Sequence, residues 1–202
     1  MIMNSPQIHS IFPTPIGIYE INNYESLNKG LTDFLYSIKK EDNPQRSMVG
    51  GYHTKENLLF YDNTYIKEFH KIMSKKFKEY FYYISKKEVG ENSKMASWGM
   101  IYNLGNYAKT HNHPLADMSA AYYCKMPKEL NDNGSIVFND PRPTAKWDRN
   151  FSNNSTKSFK AKEGTLIIFP GWLEHHVTPH NSNEDRICIS TNFFVDHGTF
   201  FK

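Results

Sequence analysis

Apolar positions recur at helical spacing in two stretches of the first half of the chain. Residues 26–40 place Leu27, Leu31, Phe34, Leu35 and Ile38 on one face. Residues 63–84 do the same with Ile66, Phe69, Met73, Phe77, Tyr80, Phe81 and Ile84. Spacings of three and four predict two amphipathic helices that pack on a core and serve as scaffold. Asp62 or Asn63 supplies an N-cap for the second. Ahead of them, residues 11–21 (IFPTPIGIYEI) predict a strand after a proline-marked start. Between them, SMVGGYHTKENLL carries a turn at Gly50-Gly51. His53 in that segment reads as an exposed loop histidine rather than a ligand.

From residue 95 the period changes. MASWGMIYN, MSAAYYCKM, GSIVFN, GTLIIFP, LEHHVTP and RICISTNFFV are short strand-like runs separated by turn formers. Strands in succession predict an antiparallel barrel or sandwich rather than alternating βα units. Residues 139–156 are polar and rich in turn formers, and read as a lid or binding loop. There are no internal repeats and no Gly/Ser linker. The expectation is one domain over 1–202, mainly β with N-terminal helices.

Composition adds limits. The 202 residues suffice for one sizeable core, and the 39% hydrophobic and 22% charged content predicts a globular chain. A net charge of +3, without a basic cluster, makes nucleic acid an unlikely partner. Cys124 and Cys188 are too few for a disulfide framework and sit in apolar runs. The opening MIMNSPQIHSIFPTP does not read as a secretory signal, and no apolar run has the length of a membrane span. The expected compartment is the cytoplasm.

The candidate chemistry lies in the histidines. Of nine, two stand as His111-Asn112-His113 and two as His175-His176. On an extended chain His111 and His113 project to the same face and can grip a divalent metal. A third ligand from another strand would complete a facial set with open positions, as non-haem iron(II) oxygenases require. Arg186 follows His175 by eleven residues, and a place on the adjacent antiparallel strand is open to it. Its planar fork suits bidentate capture of a carboxylate.

HNHPLADMSAAYYCKMP, IVFNDPRP and GTLIIFPGWLEHHVTP…RICISTNF together resemble the 2-oxoglutarate/iron(II) oxygenase superfamily. More narrowly, they are similar to a group of small oxygenases of phages and marine bacteria. IFPTPIGIYEI and SMVGGYHT resemble that group's N-terminal half. The resemblance implies a double-stranded β-helix (jelly-roll, cupin-like) core over 95–197, with helical support over 22–90. It implies Fe(II) as metal, 2-oxoglutarate as co-substrate and O2 as oxidant. The metal ligands fall on His111, His113 and His175, with His176 facing away. The arginine for 2-oxoglutarate falls on Arg186, and Cys188 stands where a serine often follows it. Tyr102 and Tyr122 or Tyr123 are candidates for a further hydrogen bond to the co-substrate.

The departure is His113, where most of the superfamily has a carboxylate. Asp117 and then Asp140 are the alternatives for that third position. If no side chain took it, a vacant position could admit halide. Trp98, Tyr107, Trp172, Arg142 and Trp147 are candidates for the substrate entrance. The implied activity is a dioxygenase that hydroxylates a protein side chain such as proline, or a small metabolite. Two other readings stay open: an oxidative nucleic-acid demethylase, and a non-enzymatic jelly-roll structural or ligand-binding protein. The infected cell of a phage host is an alternative setting, and a homodimer is an open option.

Overall fold

The computed structural model describes residue 7 and residues 11–39, 46–128, 134–142, 155–160 and 162–196. Both helical stripes form helices, α1 (Tyr24–Ser37) and α2 (Thr64–Ser85). α1 buries Leu27, Leu31 and Leu35, and α2 buries Ile66, Phe69, Met73, Phe77 and Tyr80. Asn63 is the cap of α2: its side chain accepts from the N–H of Tyr65 and of Ile66, at 2.9 and 3.2 Å. The early strand β1 (Gly17–Glu20) is shorter than the apolar run that suggested it. Pro13 and Pro15 have no N–H to offer a ladder, so pairing starts only after them.

Between the helices lie β2 (Met48–Val49), β3 (Tyr52–His53) and a single 3-10 turn, Leu58–Phe60. Gly50 and Gly51 both adopt left-handed φ, 72° and 71°. This corner carries the chain from one sheet to the other, which side chains with a Cβ would strain. A Cβ on Gly51 would also meet the Ile101 carbonyl oxygen at 2.4 Å. Eight further strands follow: β4 (Lys94–Tyr102), β5 (Tyr107–His111), β6 (Met118–Lys125), β7 (Ile136–Asn139), β8 (Thr156–Phe159), β9 (Thr165–Pro170), β10 (His175–Val177) and β11 (Arg186–Phe194).

They form two facing antiparallel sheets, β1-β9-β6-β11-β4-β3 and β2-β5-β10-β7-β8. This is a mainly β fold with a double-stranded β-helix core. The six-stranded sheet is buried on both faces. Ile101, Tyr122, Ile168, Ile187 and Ile189 pack against the helices. Trp98, Met100, Tyr102, Tyr123 and Phe169 line the interior between the sheets. Double burial explains why these strands read as continuous apolar runs rather than as alternation. No helix among the described residues is long and apolar enough to cross a membrane.

Arg186 does not take the place open to it on the strand next to His175. β11, which carries Arg186, pairs with β4 and β6, not with β10. β10 pairs with β5 and β7 in the other sheet. The segment 178–185 crosses between sheets, so Arg186 faces the histidines across the interior.

Candidate active site

β5 and β10 are neighbours, with His111 opposite His175. Paired residues of an antiparallel ladder share a face, and the two ring centroids are 4.4 Å apart. His113 lies beyond the end of β5, so strand alternation does not orient it. Its backbone N–H donates to the Gly171 carbonyl at 2.7 Å, and its own carbonyl accepts from Ala116 N–H at 3.0 Å. The His113 ring thereby sits 5.2 Å from His111 and 5.3 Å from His175. One ligand atom from each of the three rings lies within 4.8 Å of the others. Among the described residues, no fourth His, Cys or carboxylate joins this group.

Hydrogen bonds orient two of the rings. His111 Nδ1 lies 2.7 Å from the Lys109 carbonyl, and His175 Nδ1 lies 2.9 Å from the Leu173 carbonyl. A carbonyl only accepts, so both Nδ1 atoms carry the proton and both Nε2 atoms keep a lone pair. Burial, helped by the neighbouring imidazoles, holds His113 down to about 4 and His175 down to about 3. His111 is also held below the ordinary imidazole value by burial. All three are therefore neutral at pH 7, the form that binds metal.

This has a consequence for the metal-free protein. A histidine held below its ordinary value binds fewer protons folded than unfolded, so acid favours unfolding. The contribution is complete above pH 6.5 and shrinks as pH falls toward 4 for His113 and 3 for His175. The apoprotein is expected to melt at lower temperature at pH 5 than at pH 7. His113→Asn is expected to flatten that dependence; an unchanged slope would contradict it.

Arg186 opens β11 and is 1% exposed. Among the described residues no carboxylate pairs with it. Its guanidinium carbon lies over Tyr102 (4.6 Å to the ring centroid) and Tyr123 (5.2 Å), and Nη1 is 3.6 Å from Cys188 Sγ. Nε and the Tyr123 hydroxyl are buried without a well-formed hydrogen bond. The phenol feels the cation's charge, but burial is the larger effect and pushes it up to about 12. A buried cation without a counterion costs several kcal/mol, and cation–π contacts offset only part of that, about 2 kcal/mol when desolvated. The remainder calls for an anionic ligand.

One cavity of about 250 Å³ joins Arg186 to the three histidines. Tyr102, Tyr123 and Cys188 line it. Tyr122 does not. It points to the opposite face of β6, where its hydroxyl donates to Asn28 Oδ1 at 2.6 Å. Adjacent strand residues face opposite sides, so only one of Tyr122 and Tyr123 can reach the cavity. His176, next to His175, is likewise outside the imidazole group.

The alternative carboxylates serve elsewhere. Asp117 Oδ2 accepts from Val195 N–H at 2.8 Å. Asp140 holds the Arg142 guanidinium, 2.6 Å from Nη2. Of the entrance candidates, Trp98 lines the cavity; Tyr107, Trp172 and Arg142 do not. Trp147 and most of the 139–156 loop lie outside the described residues. His53 corrects its reading as exposed: it is 4% exposed and forms part of the cavity wall, because β3 pairs with β4. Two extended residues straight after a Gly-Gly corner were the available signal.

Gly171 holds the turn that carries His113. Its N–H donates to the Asp117 carbonyl at 3.1 Å. A Cβ there would meet the Ala116 carbonyl oxygen at 2.0 Å and that of His113 at 2.9 Å. Gly171→Ala is expected to push residues 113–116 away and weaken metal binding by about 10–100-fold, the scale for losing a ligand's supporting contacts. A metal titration on folded variant checks this, and wild-type affinity would contradict it.

Three neutral imidazoles share one cavity with a buried guanidinium, an arrangement that can hold a metal ion beside a carboxylate ligand. Residues 96–192, from β4 into β11, match the family described as "Putative 2OG-Fe(II) oxygenase". No relative is matched among curated proteins. Among solved structures, the fold is similar to a prolyl-4-hydroxylase of Pseudomonas putida, with TM-score 0.66, 12% identity and 90% and 92% of the two chains covered. It is similar to a viral collagen prolyl hydroxylase from Paramecium bursaria Chlorella virus-1 in complex with 2OG, with TM-score 0.60, 14% identity and coverage of 88% and 94%. It is also similar to HygX from Streptomyces hygroscopicus with iron bound, with TM-score 0.60, 8% identity and coverage of 90% and 82%. The description of that family names Fe(II) and 2-oxoglutarate. The residues present fit both: neutral nitrogen donors for the metal, and for the dicarboxylate a buried cation with no carboxylate partner among the described residues.

Proposed function

We propose that this chain is a hydroxylase that couples oxidative decarboxylation of 2-oxoglutarate to oxidation of a C–H bond. The observation that carries this reading is the placement of Arg186, buried with no carboxylate partner among the described residues, and three neutral imidazoles on one cavity. When bound, iron and co-substrate supply the oxidation: R–H, 2-oxoglutarate and O2 become R–OH, succinate and CO2, with two electrons from each organic substrate reducing O2.

The chain's own residues do the rest. His111, His113 and His175 hold the metal, with the Lys109 and Leu173 carbonyls fixing the tautomers of two of them. Arg186 binds the carboxylate of 2-oxoglutarate remote from the metal through its fork. Tyr123 donates a hydrogen bond to that carboxylate, and Tyr102 supports the guanidinium from below. Phe169, Ile136 and Val177 line the same cavity with apolar groups and exclude water, which strengthens every charge interaction inside. Three neutral ligands leave the centre at +2, a charge that favours a dianionic co-substrate.

The relatives named for prolyl hydroxylation act on proline. For this chain the substrate is a small metabolite or a protein side chain that can reach the cavity. The test is succinate release from 2-oxoglutarate with Fe(II), ascorbate and O2. Release that depends on iron and stops in Arg186→Ala is expected. Absence of both turnover and 2-oxoglutarate binding would favour a non-enzymatic β-helix protein.

A further inference from the structure

The cavity has two ends, and 2-oxoglutarate accounts for one. Along β4 and β11, Arg186 is opposite Tyr102, Cys188 opposite Met100 and Ser190 opposite Trp98. All six face inward, so the inner wall runs from the guanidinium to the Trp98–Ser190 pair, four residues or roughly 13 Å away. At that far end the Trp98 ring is 5.7 Å from His113 and stacks on His53 at 6.0 Å. His53 is opposite Met100 on the edge strand β3 and shares the inward face. Beyond it the wall reaches Arg46 and Glu56, which pair with each other at the mouth.

We propose that the Trp98–His53 end is the subsite for the primary substrate and takes a free α-amino acid, its carboxylate on Arg46 and its ammonium on Glu56. This rests on the assignment of the Arg186 end to 2-oxoglutarate.

Three observations support the class. The whole cavity, shared with the co-substrate, measures about 250 Å³, below the range of roughly 300–1,000 Å³ typical of pockets for larger ligands. That space takes a small molecule or one inserted side chain, and the charges at the mouth decide between them. The mouth offers one cation and one anion already in contact, and an α-amino acid carries its two charges on a single carbon. A ligand of one sign would leave one of the two side chains unmatched. The Arg46–Glu56 pair is partly exposed, with relative side-chain accessibilities of 62% and 39%. Such pairs contribute little to stability, so a zwitterion that inserts between them displaces little. The side chain of the amino acid would then extend inward past Trp98 toward His113, one of the three imidazoles that would hold the metal.

The experiment is calorimetric titration of each of the twenty standard L-amino acids into protein loaded with Mn(II) and 2-oxoglutarate. At least one is expected to bind. Arg46→Gln and Glu56→Gln are each expected to weaken it by about tenfold or more, the loss of one charge-assisted hydrogen bond, with 2-oxoglutarate affinity little changed. The N-acetyl and amide forms of the same amino acid are expected not to bind. The proposal is overturned if 2-oxoglutarate binds normally and no amino acid does. It is also overturned if both variants bind like wild type, or if the N-acetyl amide binds as well as the free acid, which would indicate a peptide substrate. Failure of 2-oxoglutarate itself to bind would refute the Arg186 assignment instead, and the subsite would fall with it.

Discussion

His175→Ala is expected to abolish measurable iron binding. His175 is the most buried of the three imidazoles and lies 4.4 Å from His111 and 5.3 Å from His113. Phe138 and Phe169 pack around it, with centroids at 5.8 and 4.7 Å. Among the described residues, no other His, Cys or carboxylate joins the group to take its place. Loss of a supporting contact alone costs about 10–100-fold in metal affinity, and loss of the ligand itself is expected to exceed that. Titration with Fe(II) under anaerobic conditions, or with Mn(II), reads the effect directly. His176→Ala is the matched control, because the neighbouring side chain leaves the group on the other face of the strand. Full metal affinity in His175→Ala, or equal loss in both variants, would remove the basis for the ligand set.

Arg186→Ala is expected to weaken 2-oxoglutarate binding far more than metal binding. Truncating one partner of a buried charged pair costs about 2–5 kcal/mol, roughly 30- to several-thousand-fold in Kd. The effect on the unliganded protein should be small by comparison. The guanidinium has no carboxylate partner among the described residues, so its removal also relieves a desolvated charge. Arg186→Lys keeps the charge but loses the fork and the stacking on Tyr102 and Tyr123, and an intermediate affinity is expected. Calorimetry with 2-oxoglutarate on Mn(II)-loaded protein separates the three. Parallel loss of metal and co-substrate affinity in Arg186→Ala would point to misfolding rather than to a carboxylate site.

The legible parts of the chain were those with a local physical signature. Leu27, Leu31 and Leu35, and Ile66 through Tyr80, recur at the period of a helix, and both helices are where that period puts them. The two histidines of the His111-Asn112-His113 run do meet on one cavity, but it is the turn against Gly171, not strand alternation, that brings His113 there. Asn63 was one of two candidates for the cap of α2, and only the backbone geometry chose it over Asp62.

The site needed more. Tyr122 and Tyr123 must face opposite ways on any strand, but β6 is apolar on both sides, so its sequence carries no sign of which face is which. The packing of α1, through Asn28, takes Tyr122, and Tyr123 is left to the cavity. His53 looked like a loop residue because a two-residue strand is too short to show alternation; its pairing with Met100 buries it. The chain spacing left Arg186 a place on the strand beside His175, and the sheet crossing puts them face to face instead.

The amino-acid pattern by itself therefore determined the kinds of elements and the chemistry available, since helix period and ligand type are properties of residues close in the chain. The tertiary structure decided which strands are neighbours, and with that which imidazoles meet and which cation faces them. Those pairings join residues 64 positions apart, as in His111 and His175, and depend on the burial of whole sheet faces, a quantity that no short window of sequence contains.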